Sequence, residues 1–367
     1  MRIRFLTSTP LEVARGSGTY VGITTLANSL RNLGATVEYV TPSIQLPIYT
    51  LQRLLFNQSL RFRRLDPVDV TVGFDMDGYT LPRTAGLHVA SIKGVIADEM
   101  RFEQGLTHAT MRIQAACERI HVRKADAVIT TSAYSAARIQ ALYGLPNLPH
   151  IVPELIDLEA WNKLLDSTPH PQPRNKFIVL SVCRFYPRKR LHLLLRAAAR
   201  LRQFIPELEV RIVGGGPEAP RLKELCEKEN LGSVVVWREN ISQTELAQEY
   251  QQCDVFCLPS VQEGFGIVFL EAMAAGKPII AANAAAVPDV VHHGLLVEPD
   301  SDQALATAIE QLYRDPTLRD SLAATGREAV KQFDAPRVAA MFLRKLESLM
   351  AESAAFTANQ PRSSLRP

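Results

Sequence analysis

Two basic residues near position 185 have the spacing of an anion-binding pair. Arg184 ends a predicted strand over 177–184, and Lys189 follows five residues later, just before a predicted helix over 192–204. A helix N-terminus offers free N–H groups and partial positive charge, and two cationic side chains add full charges that suit phosphate oxygens. The pattern is compatible with a diphosphate site, but by itself it fits an ordinary solvated basic loop at least as well.

A second candidate lies in the segment PSVQEGFGIVFLEAMAAGKP, where two glutamates flank a glycine-rich turn. Glu263 follows a predicted strand, and Glu271 comes eight residues later in the second turn of a predicted helix. The amides of Phe265, Gly266 and Ile267 can approach one ligand closely, because glycine leaves room at the helix start. Carboxylates are strong acceptors for sugar hydroxyls. The spacing favours a sugar-binding corner, and a surface glutamate beside a helix-capping glutamate is the alternative.

Two glycine-rich loops also follow predicted strands. Gly214, Gly215 and Gly216 come after the strand LEVRIV and fit either the close approach of a flat ring or phosphate, or a simple tight turn. The sequence Gly16-Ser17-Gly18 follows the first predicted strand, but a GxG alone is a weak signal. Gly22 falls one residue late for the dinucleotide fingerprint.

Strands and helices that alternate along the chain must position these corners. Short apolar runs at 3–7, 36–41, 68–74, 87–92 and 126–132 read as strands, with predicted helices at 24–34 and 107–124 between them. A second alternating series begins at 177, after the proline-rich segment STPHPQPRNK. Such alternation predicts parallel α/β sheets, whose ligands bind beyond the carboxyl ends of the strands.

The same pattern suggests where the domains begin and end. We expect an N-terminal Rossmann-like domain over 1–166, a second Rossmann-like domain over 174–333, a crossover helix over 335–352 and a disordered tail over 353–367. Two such domains joined by one linker form a cleft, which is where ligand sites are common.

The segments RFYPRKR, VRIVGGGPE and CDVFCLPSVQEGFGIVFLEAMAAGKPII together resemble the donor domain of family 4 retaining glycosyltransferases. Their order and spacing match over 178–298, and the acidic E-x7-E element is specific. Two earlier segments, 124–139 and 151–161, look like the acceptor domain of that family. The resemblance implies the GT-B fold: an α/β chain whose two doubly wound, Rossmann-like domains face each other across a cleft, with the last helix returning to the first domain.

The resemblance also implies a role for each matched position. Arg184 and Lys189 would bind the donor diphosphate, Glu263 would contact the transferred sugar, and Glu271 would hold the ribose. The backbone positions that would line the sugar, the phosphates and the nucleotide are Phe265, Gly266, Ile267, Gly214, Gly215, Gly216 and Gly18.

Lys93 is where the sequence departs from that family. The family commonly has a histidine near the anomeric carbon, and the aligned segment here reads ASIKGVIADE. A lysine can bond a sugar hydroxyl or stabilise phosphate charge, but it is a poor base unless burial lowers its pKa. The resemblance implies front-face attack with the departing phosphate taking the acceptor proton, so catalysis would rest on positioning and on stabilising that phosphate. We include Lys93 among the predicted catalytic residues.

The stretch VGFDMDGYTL places Asp75 and Asp77 on either side of one apolar residue. This pattern resembles the nucleophile motif of haloacid dehalogenase-like phosphatases, but the later GD dipeptide of that class is absent from the chain. The DxD metal motif belongs to a different transferase fold, and Arg184 and Lys189 supply the charge that a metal would. We expect no metal site. Asp75 and Asp77 should end a strand at the cleft rim, where they either bind acceptor hydroxyls or cap a loop.

The segment 48–65, IYTLQRLLFNQSLRFRRL, combines leucines with arginines. On a helical wheel the apolar and basic residues separate in part, although Phe56 and Leu60 break the separation. Such a helix could dock on anionic lipid, which would suit a lipid-linked acceptor. An ordinary domain helix with a basic solvated face is the alternative.

Composition narrows the partners. The net charge is +3 over 367 residues, and the excess lies in residues 1–150. This is too little charge for a nucleic-acid binder. Five cysteines without a CxxC pair, and the absence of a signal-peptide pattern, predict a cytoplasmic protein that is free or lies on the inner face of a membrane.

The motifs together predict a metal-independent retaining glycosyltransferase that needs no cofactor and uses a nucleotide-diphosphate sugar. The acceptor would be a sugar, a lipid-linked glycan or a small molecule. Three alternatives share the fold: a sugar-nucleotide epimerase, a phosphorylase, for which we find no pyridoxal-phosphate lysine, and a non-catalytic partner subunit. The intact set of Arg184, Lys189, Glu263 and Glu271 argues against the last of these.

Overall fold

A computed structural model describes residues 1–9, 18–83, 86–168 and 175–359. Within these ranges the chain forms two parallel β-sheets of six strands each, with helices on both faces. This confirms the predicted α/β architecture of two doubly wound domains. Gly16 and Ser17 of the first glycine loop, and most of the proline-rich linker, lie outside the described residues.

The first sheet lies in the N-terminal half of the chain. Its strands are β1 Arg2–Leu6, β2 Thr36–Val40, β3 Val70–Phe74, β4 Leu87–Ile92, β5 Ala127–Thr130 and β6 His150–Ile151. They are arranged in the order β2-β1-β3-β4-β5-β6, and every neighbouring pair is parallel. All residues of β3 and β4 are buried, because helices cover both faces of the sheet.

Six helices follow these strands. They are α1 Gly18–Asn32, α2 Tyr49–Leu60, α3 Ile96–Glu99, α4 Gly105–Lys124, α5 Ala133–Tyr143 and α6 Leu158–Asp166. Helix α1 begins at Gly18, earlier than the predicted start at residue 24. Ile23, Leu26 and Leu30 are buried on one face of this helix, and Gly18 and Gly22 belong to its first turns.

The second sheet repeats this arrangement. Its strands are β7 Phe177–Val182, β8 Leu208–Val213, β9 Val235–Arg238, β10 Val255–Leu258, β11 Ile279–Ala282 and β12 Leu295–Val297, in the order β12-β11-β10-β7-β8-β9. Its helices are α7 Leu191–Leu201, α8 Ala219–Lys228, α9 Gln243–Gln252, α10 Ile267–Ala274, α11 Val287–Val290, α12 Asp302–Arg314 and α13 Pro316–Ala329, and the chain ends in α14 Ala335–Asn359.

Strand β7 shows how two hydrophobic cores arise from one strand. Phe177 and Val179 belong to the core that includes α7 and α12, whereas Ile178 and Leu180 belong to the core that includes α9 and α10. Successive side chains of a strand point to opposite faces, so an uninterrupted apolar run fills both cores. Strands β7 and β10 are parallel neighbours in the sheet. Their carboxyl ends lie at the same edge of the sheet, so the loops that follow them are side by side.

Helix α6 belongs by packing to the second domain, although the predicted boundary at 166 put it in the first. Trp161 and Leu165 are buried in the core of the second domain. The reason is the one-sided apolar pattern of LEAWNKLLD, which needs an apolar surface and finds it against α9 and α10.

Helix α14 makes the return crossing to the first domain. Val338, Phe342 and Leu346 lie in the core that α1 forms with the first sheet. The helix continues to Asn359, beyond the predicted end at 352, so part of the expected disordered tail is helical. Residues 360–367 lie outside the described residues.

Candidate active site

The corner after β7 presents three basic residues in different surroundings. The Arg184 side chain is exposed and makes no ion pair within the described part of the chain. Arg188 is largely enclosed: its Nε donates to Gln262 Oε1 at 2.9 Å, and its Nη2 lies 3.4 Å from Glu99 Oε1 in the first domain. Lys189 is buried at the end of a 3-10 turn over Pro187–Lys189. The predicted cation pair is therefore split into one free arginine and one enclosed lysine.

Lys189 and Glu263, which are far apart in sequence, form a buried ion pair. Lys189 Nζ lies 2.5 Å from Glu263 Oε1, and both residues are less than 10% exposed. The contact follows from the sheet order, because the loops after β7 and β10 are neighbours. The Val261 N–H donates to the Arg188 carbonyl and ties the two loops together. Two residues predicted for separate roles thus form one unit.

The three glycines after β8 support the Arg184 corner. A Cβ on Gly214 would lie 2.0 Å from the Cys183 carbonyl oxygen, and one on Gly216 would lie 2.7 Å from the Phe185 nitrogen. Both glycines have positive φ angles, so side chains are excluded there by space and by backbone conformation. Gly215 has nothing within 4 Å and is the member with an open face toward a ligand.

The turn from β10 into α10 leaves the start of the helix without a side-chain cap. Gly266 precedes the helix with φ +93°, and no side chain caps α10. Phe265 is buried against Phe333, and the helix starts at Ile267. The first amides of a helix have no intrahelical partner. This end of α10 can therefore donate to an anionic or hydroxylated ligand.

Glu271 lies farther along α10 and pairs with a tyrosine that the sequence did not point to. The Tyr250 hydroxyl donates to Glu271 Oε2 at 2.8 Å. Burial raises the pKa of Glu271 to about 7, and the Tyr250 hydrogen bond opposes this rise. The carboxyl group can therefore gain or lose a proton near neutral pH.

Gly264, next to Glu263, connects the two domains. Its carbonyl accepts hydrogen bonds from Thr131 Oγ1 at 3.0 Å, Ser132 Oγ at 2.9 Å and Ser135 Oγ at 3.2 Å. A Cβ at Gly264 would also lie 2.5 Å from the Lys93 carbonyl oxygen. We call Thr131, Ser132 and Ser135 the hydroxyl clamp. It holds the glutamate loop of the second domain against the first domain.

The structure brings Lys93 to this junction and gives it a partner. Lys93 Nζ lies 3.0 Å from Glu154 Oε1, and both side chains are at most 7% exposed. Glu154 follows β6 and was not among the predicted site residues. The signal in the sequence was weak: a single glutamate just after a very short strand.

Asp77 caps a loop, which was one of its two predicted roles. It is fully buried and accepts hydrogen bonds from the Ser8 amide and hydroxyl, both at 2.6 Å, and from Asn57 Nδ2 at 2.9 Å. With its oxygens used in this way, it is not available to an acceptor substrate.

Asp75 has the surroundings of a site residue. Its backbone has φ +53°, an unusual conformation for a residue other than glycine. Its Oδ1 accepts from the Lys93 amide at 2.9 Å, and Oδ2 lies 3.8 Å from Arg53 Nη2, beyond hydrogen-bond distance. Burial raises the pKa of Asp75 to about 6, although Arg53 opposes this effect. The binding of an acceptor hydroxyl at Asp75 stays a prediction.

Two buried histidines lie behind Asp75. His121 Nδ1 is 2.5 Å from the Asp75 carbonyl oxygen, so this nitrogen carries the proton that it donates. His121 Nε2, then an acceptor, lies 3.1 Å from His88 Nε2, which must be the donor. Burial lowers the pKa of His88 to about 4 and that of His121 to about 3. Both rings are therefore neutral near pH 7 and form a relay of hydrogen bonds that supports the Asp75 backbone.

The segment 48–65 is predicted to be a helix with a basic face in solvent, and the structure of α2 differs from this at Arg53. Arg53 is buried, and Phe56 and Leu60 belong to the domain core, so the basic side at position 53 faces inward. Leu51 and Leu55 are instead exposed on the outer surface. A search of the described residues finds no helix with the length and hydropathy needed to cross a bilayer.

Among the described residues, no group of three or more histidine, cysteine, aspartate or glutamate side chains is arranged to hold a metal ion. Gly18 is the first residue of α1, and its neighbours 10–17 lie outside the described residues. The structure therefore brings Lys189, Glu263, Gly264 and Lys93 to one junction between the domains, with Arg184 and Glu271 on the side of the second domain.

Two facing Rossmann-like sheets and a C-terminal helix that returns to the first domain define the GT-B fold. The chain superposes on sucrose-phosphate synthase from Thermosynechococcus elongatus with a TM-score of 0.79 and 21% identity, over 96% of this chain and 99% of that one. It is also similar to HepE from Anabaena, solved with UDP and glucose, with a TM-score of 0.71 and 20% identity over 95% and 100% of the two chains. These likenesses establish a shared fold.

Sequence comparison gives a more specific relationship for the second domain. Residues 163–329 match the family model described as "Glycosyl transferases group 1". The chain is 29% identical over 217 residues to a GDP-mannose-dependent alpha-(1-6)-phosphatidylinositol monomannoside mannosyltransferase of Mycolicibacterium smegmatis, a match that covers 55% of this chain and 57% of the relative. It is 31% identical over 228 residues to a D-inositol 3-phosphate glycosyltransferase of Stackebrandtia nassauensis, covering 58% and 52%. The chain thus spans about half the length of the curated relatives that it matches.

Proposed function

We propose that the protein is a retaining glycosyltransferase that moves a hexose-type sugar from a nucleotide-diphosphate sugar to a hydroxyl of an acceptor. One observation carries the proposal: Lys189 and Glu263 form a buried pair at 2.5 Å in the same corner as the free Arg184 and the uncapped start of α10. The match of residues 163–329 to the group 1 glycosyl transferases supports the same activity.

In this proposal the second domain binds the donor. Arg184 and Lys189 neutralise the diphosphate, and the amides at Phe265, Gly266 and Ile267 contact the sugar and the phosphates. Glu271 accepts hydrogen bonds from the ribose, and Gly215 leaves room for the nucleotide. Charge that develops on the leaving phosphate is then met by donors already in place, which is the most effective form of electrostatic catalysis.

The reaction itself is proposed to be metal-independent and to retain the configuration of the transferred sugar. Arg184 and Lys189 supply positive charge to the leaving group, and the departing phosphate takes the proton of the acceptor hydroxyl on the same face. Lys93, whose charge is balanced by Glu154, is proposed to donate a hydrogen bond to a sugar hydroxyl at the junction. The protein contributes mainly by holding the two reactants in a productive geometry.

The acceptor is proposed to bind the first domain beside Asp75. Asp75 is partly accessible, and its Oδ2 has only a distant contact with Arg53 at 3.8 Å. A carboxylate of this kind is a strong acceptor for a hydroxyl of a sugar or another polyol. A lipid-linked acceptor fits the two relatives only in part, because one is named for a phosphatidylinositol mannoside and the other for an inositol phosphate.

We also propose that α2 and the residues around it contact a membrane from the cytoplasmic side. Ile48, Leu51, Leu55 and Phe62 are exposed to between 43% and 85%, which is unusual for apolar residues so close together. The protein should sediment with vesicles that contain anionic lipid, and Phe62→Ser should weaken this. Phe204→Ser, at an exposed phenylalanine of the second domain, is the matched control. Equal sedimentation of all three proteins would contradict the membrane contact.

The first test of the proposed function is a thermal-shift panel of UDP, GDP, ADP and their sugar conjugates, with and without EDTA. A ligand that binds only the folded state raises the melting temperature by mass action. We expect a shift with one nucleotide, unchanged by EDTA and lost in Arg184→Ala. That donor is then incubated with candidate acceptors, and the anomeric configuration of the product is read by NMR. No shift with any nucleotide would refute the donor site and favour a non-catalytic subunit.

A further inference from the structure

Glu154 has one satisfied and one unsatisfied carboxylate oxygen. Oε1 is paired with Lys93 Nζ at 3.0 Å, whereas Oε2 is buried and has no hydrogen-bond partner in the described part of the chain. The residue as a whole is only 4% exposed. A buried carboxylate oxygen without a donor costs free energy, so this position needs an explanation.

The unsatisfied oxygen lies between the two domains. A Cβ on Gly22 of α1 would lie 2.6 Å from Glu154 Oε2 and 3.6 Å from Ile267 Cδ1 at the start of α10. Glu154 Oε2 and Ile267 therefore border the same small space. Glycine at position 22 is what leaves room for the carboxylate, which explains a glycine that fits no dinucleotide fingerprint.

A purely structural ion pair would explain Oε1 but not Oε2. Lys93 needs a counter-charge because it is buried, and one carboxylate oxygen meets that need. Interior pairs are stable when the remaining lone pairs also find donors. Since the second oxygen has no donor among the residues that the structure describes, we infer that a bound ligand supplies one.

We propose that Glu154 determines sugar specificity, with Oε2 accepting a hydrogen bond from a hydroxyl of the transferred sugar. This inference rests on the proposed function, because it places the donor sugar beside Ile267. A neutral, hydroxylated sugar satisfies the carboxylate. A sugar with a carboxylate at the carbon that would otherwise carry this hydroxyl brings a second negative charge next to Glu154 in a buried site. We expect such a sugar to bind more weakly.

The experiment compares the binding of two donors that differ only in that group. UDP-glucose and UDP-glucuronate, or GDP-mannose and GDP-mannuronate, are chosen according to the nucleotide that binds. Their dissociation constants and that of the free nucleoside diphosphate are measured by calorimetry, so no acceptor is needed. The wild type should prefer the neutral sugar by about tenfold or more, the value of one hydrogen bond to a charged group.

The variant Glu154→Gln should narrow this preference by a similar factor and leave the affinity for the free nucleoside diphosphate unchanged. Because Glu154→Gln leaves Lys93 buried without a counter-charge, the neutral double variant Lys93→Met/Glu154→Gln is measured beside it. Glu154→Asp, which keeps the charge, should retain part of the preference.

Each result has a defined meaning. If folded variants bind the nucleoside diphosphate as before and show the wild-type ratio between the two sugars, Glu154 is only the counter-ion of Lys93 and the inference is wrong. If the wild type binds no nucleoside diphosphate at all, the proposed function fails first and this inference fails with it. If the ratio between the affinities for the two sugars falls toward one in both Glu154→Gln and Lys93→Met/Glu154→Gln, the assignment is supported.

Discussion

The two faces of the interdomain junction are built in different ways. On the proposed donor side, Lys189, Glu263 and the start of α10 come from two loops that follow neighbouring strands, and each loop is one continuous motif. On the proposed acceptor side, Asp75 is surrounded by groups from separate segments, including Arg53, Lys93 and His121. The first arrangement joins two loops that are each continuous in sequence, whereas the second draws on several separate segments; the contacts in both form only after folding.

The two sides also differ in how their charged groups are arranged. The donor side keeps a free cation, Arg184, next to a neutralised pair, which suits a ligand that brings two or more negative charges. The acceptor side carries groups whose pKa values burial has moved, such as Asp75 at about 6 and the histidine pair at about 4 and 3. It suits a neutral ligand and responds to pH.

The largest expected effect is a difference in stability between a variant at Lys189 and a variant at Arg184. Lys189→Ala should destabilise the fold by about 3–5 kcal/mol, because it leaves Glu263 buried without a partner, and it should also weaken donor binding. Arg184→Ala should weaken donor binding with almost no change in stability, since Arg184 is exposed. Urea unfolding and nucleotide titration of both variants test this. Equal loss of stability in the two variants would refute the distinction.

The next effect concerns acid stability of the acceptor side. His88 and His121 have folded-state pKa values below the ordinary 6.5, so their contribution to stability is complete above pH 6.5 and is lost as pH falls toward about 4. Each should cost about 1.4 kcal/mol per pH unit in that window. His88→Gln keeps a donor for His121, so its unfolding free energy should fall less steeply between pH 6.5 and 5.

Asp75 and Glu118 act in the opposite direction, because burial raises the pKa of each. The measurement is therefore the difference in slope between the wild type and His88→Gln, in which these carboxyl groups are the same. Identical slopes would mean that the histidine pair does not govern acid stability.

A smaller effect is expected at Glu271. Ribose recognition needs the carboxylate form, so nucleotide affinity should rise as pH increases through about 7, the pKa of Glu271 in the folded protein. Tyr250→Phe removes a hydrogen bond that favours the carboxylate and should move this rise to higher pH. Glu271→Ala should raise the donor KM about tenfold, the loss of a hydrogen bond to a charged group, without changing acceptor preference. A pH profile that Tyr250→Phe does not shift would remove the pair from nucleotide binding.

The smallest effect tests the hydroxyl clamp. Ser135→Ala removes one of three hydrogen bonds to the Gly264 carbonyl and should cost about 0.5–1.5 kcal/mol or less. Because the clamp joins the two domains, Ser135→Ala should raise the KM for the acceptor more than it weakens the affinity for the nucleotide. Ser59→Ala, at a hydroxyl that bonds within α2, is the control. A loss confined to nucleotide affinity would mean that the clamp serves only the donor loop.

The sequence predicted the α/β architecture because strands and turns are encoded locally, and the proposed donor corner rests on local patterns of the same kind. Apolar runs and glycine turns mark strand ends, and the E-x7-E spacing places Glu263 and Glu271 on one turn and helix. It could not show that Lys189 would pair with Glu263, since that contact depends on strand order. Helix α6 shows a related limit: its apolar face predicts burial but not that Trp161 and Leu165 pack in the core with α9 and α10.

Glu154 and the hydroxyl clamp show the same limit more clearly. A single glutamate after a two-residue strand and three hydroxyl residues after β5 are common in any sequence. These residues can be assigned to a site only from their contacts with Gly22, Lys93 and Gly264, which come from other parts of the chain. Local sequence patterns do not predict such long-range contacts.

The chain crosses between the domains twice, and the two crossings touch. The Ile156 amide donates to the Phe333 carbonyl, and the Ala335 amide donates to the Ile156 carbonyl, both within 3.0 Å. These two hydrogen bonds form a single isolated parallel bridge between Ile156 and Asp334. The two crossings are therefore joined at one point, so a rotation of one domain against the other that keeps both bonds would have to pivot near this bridge.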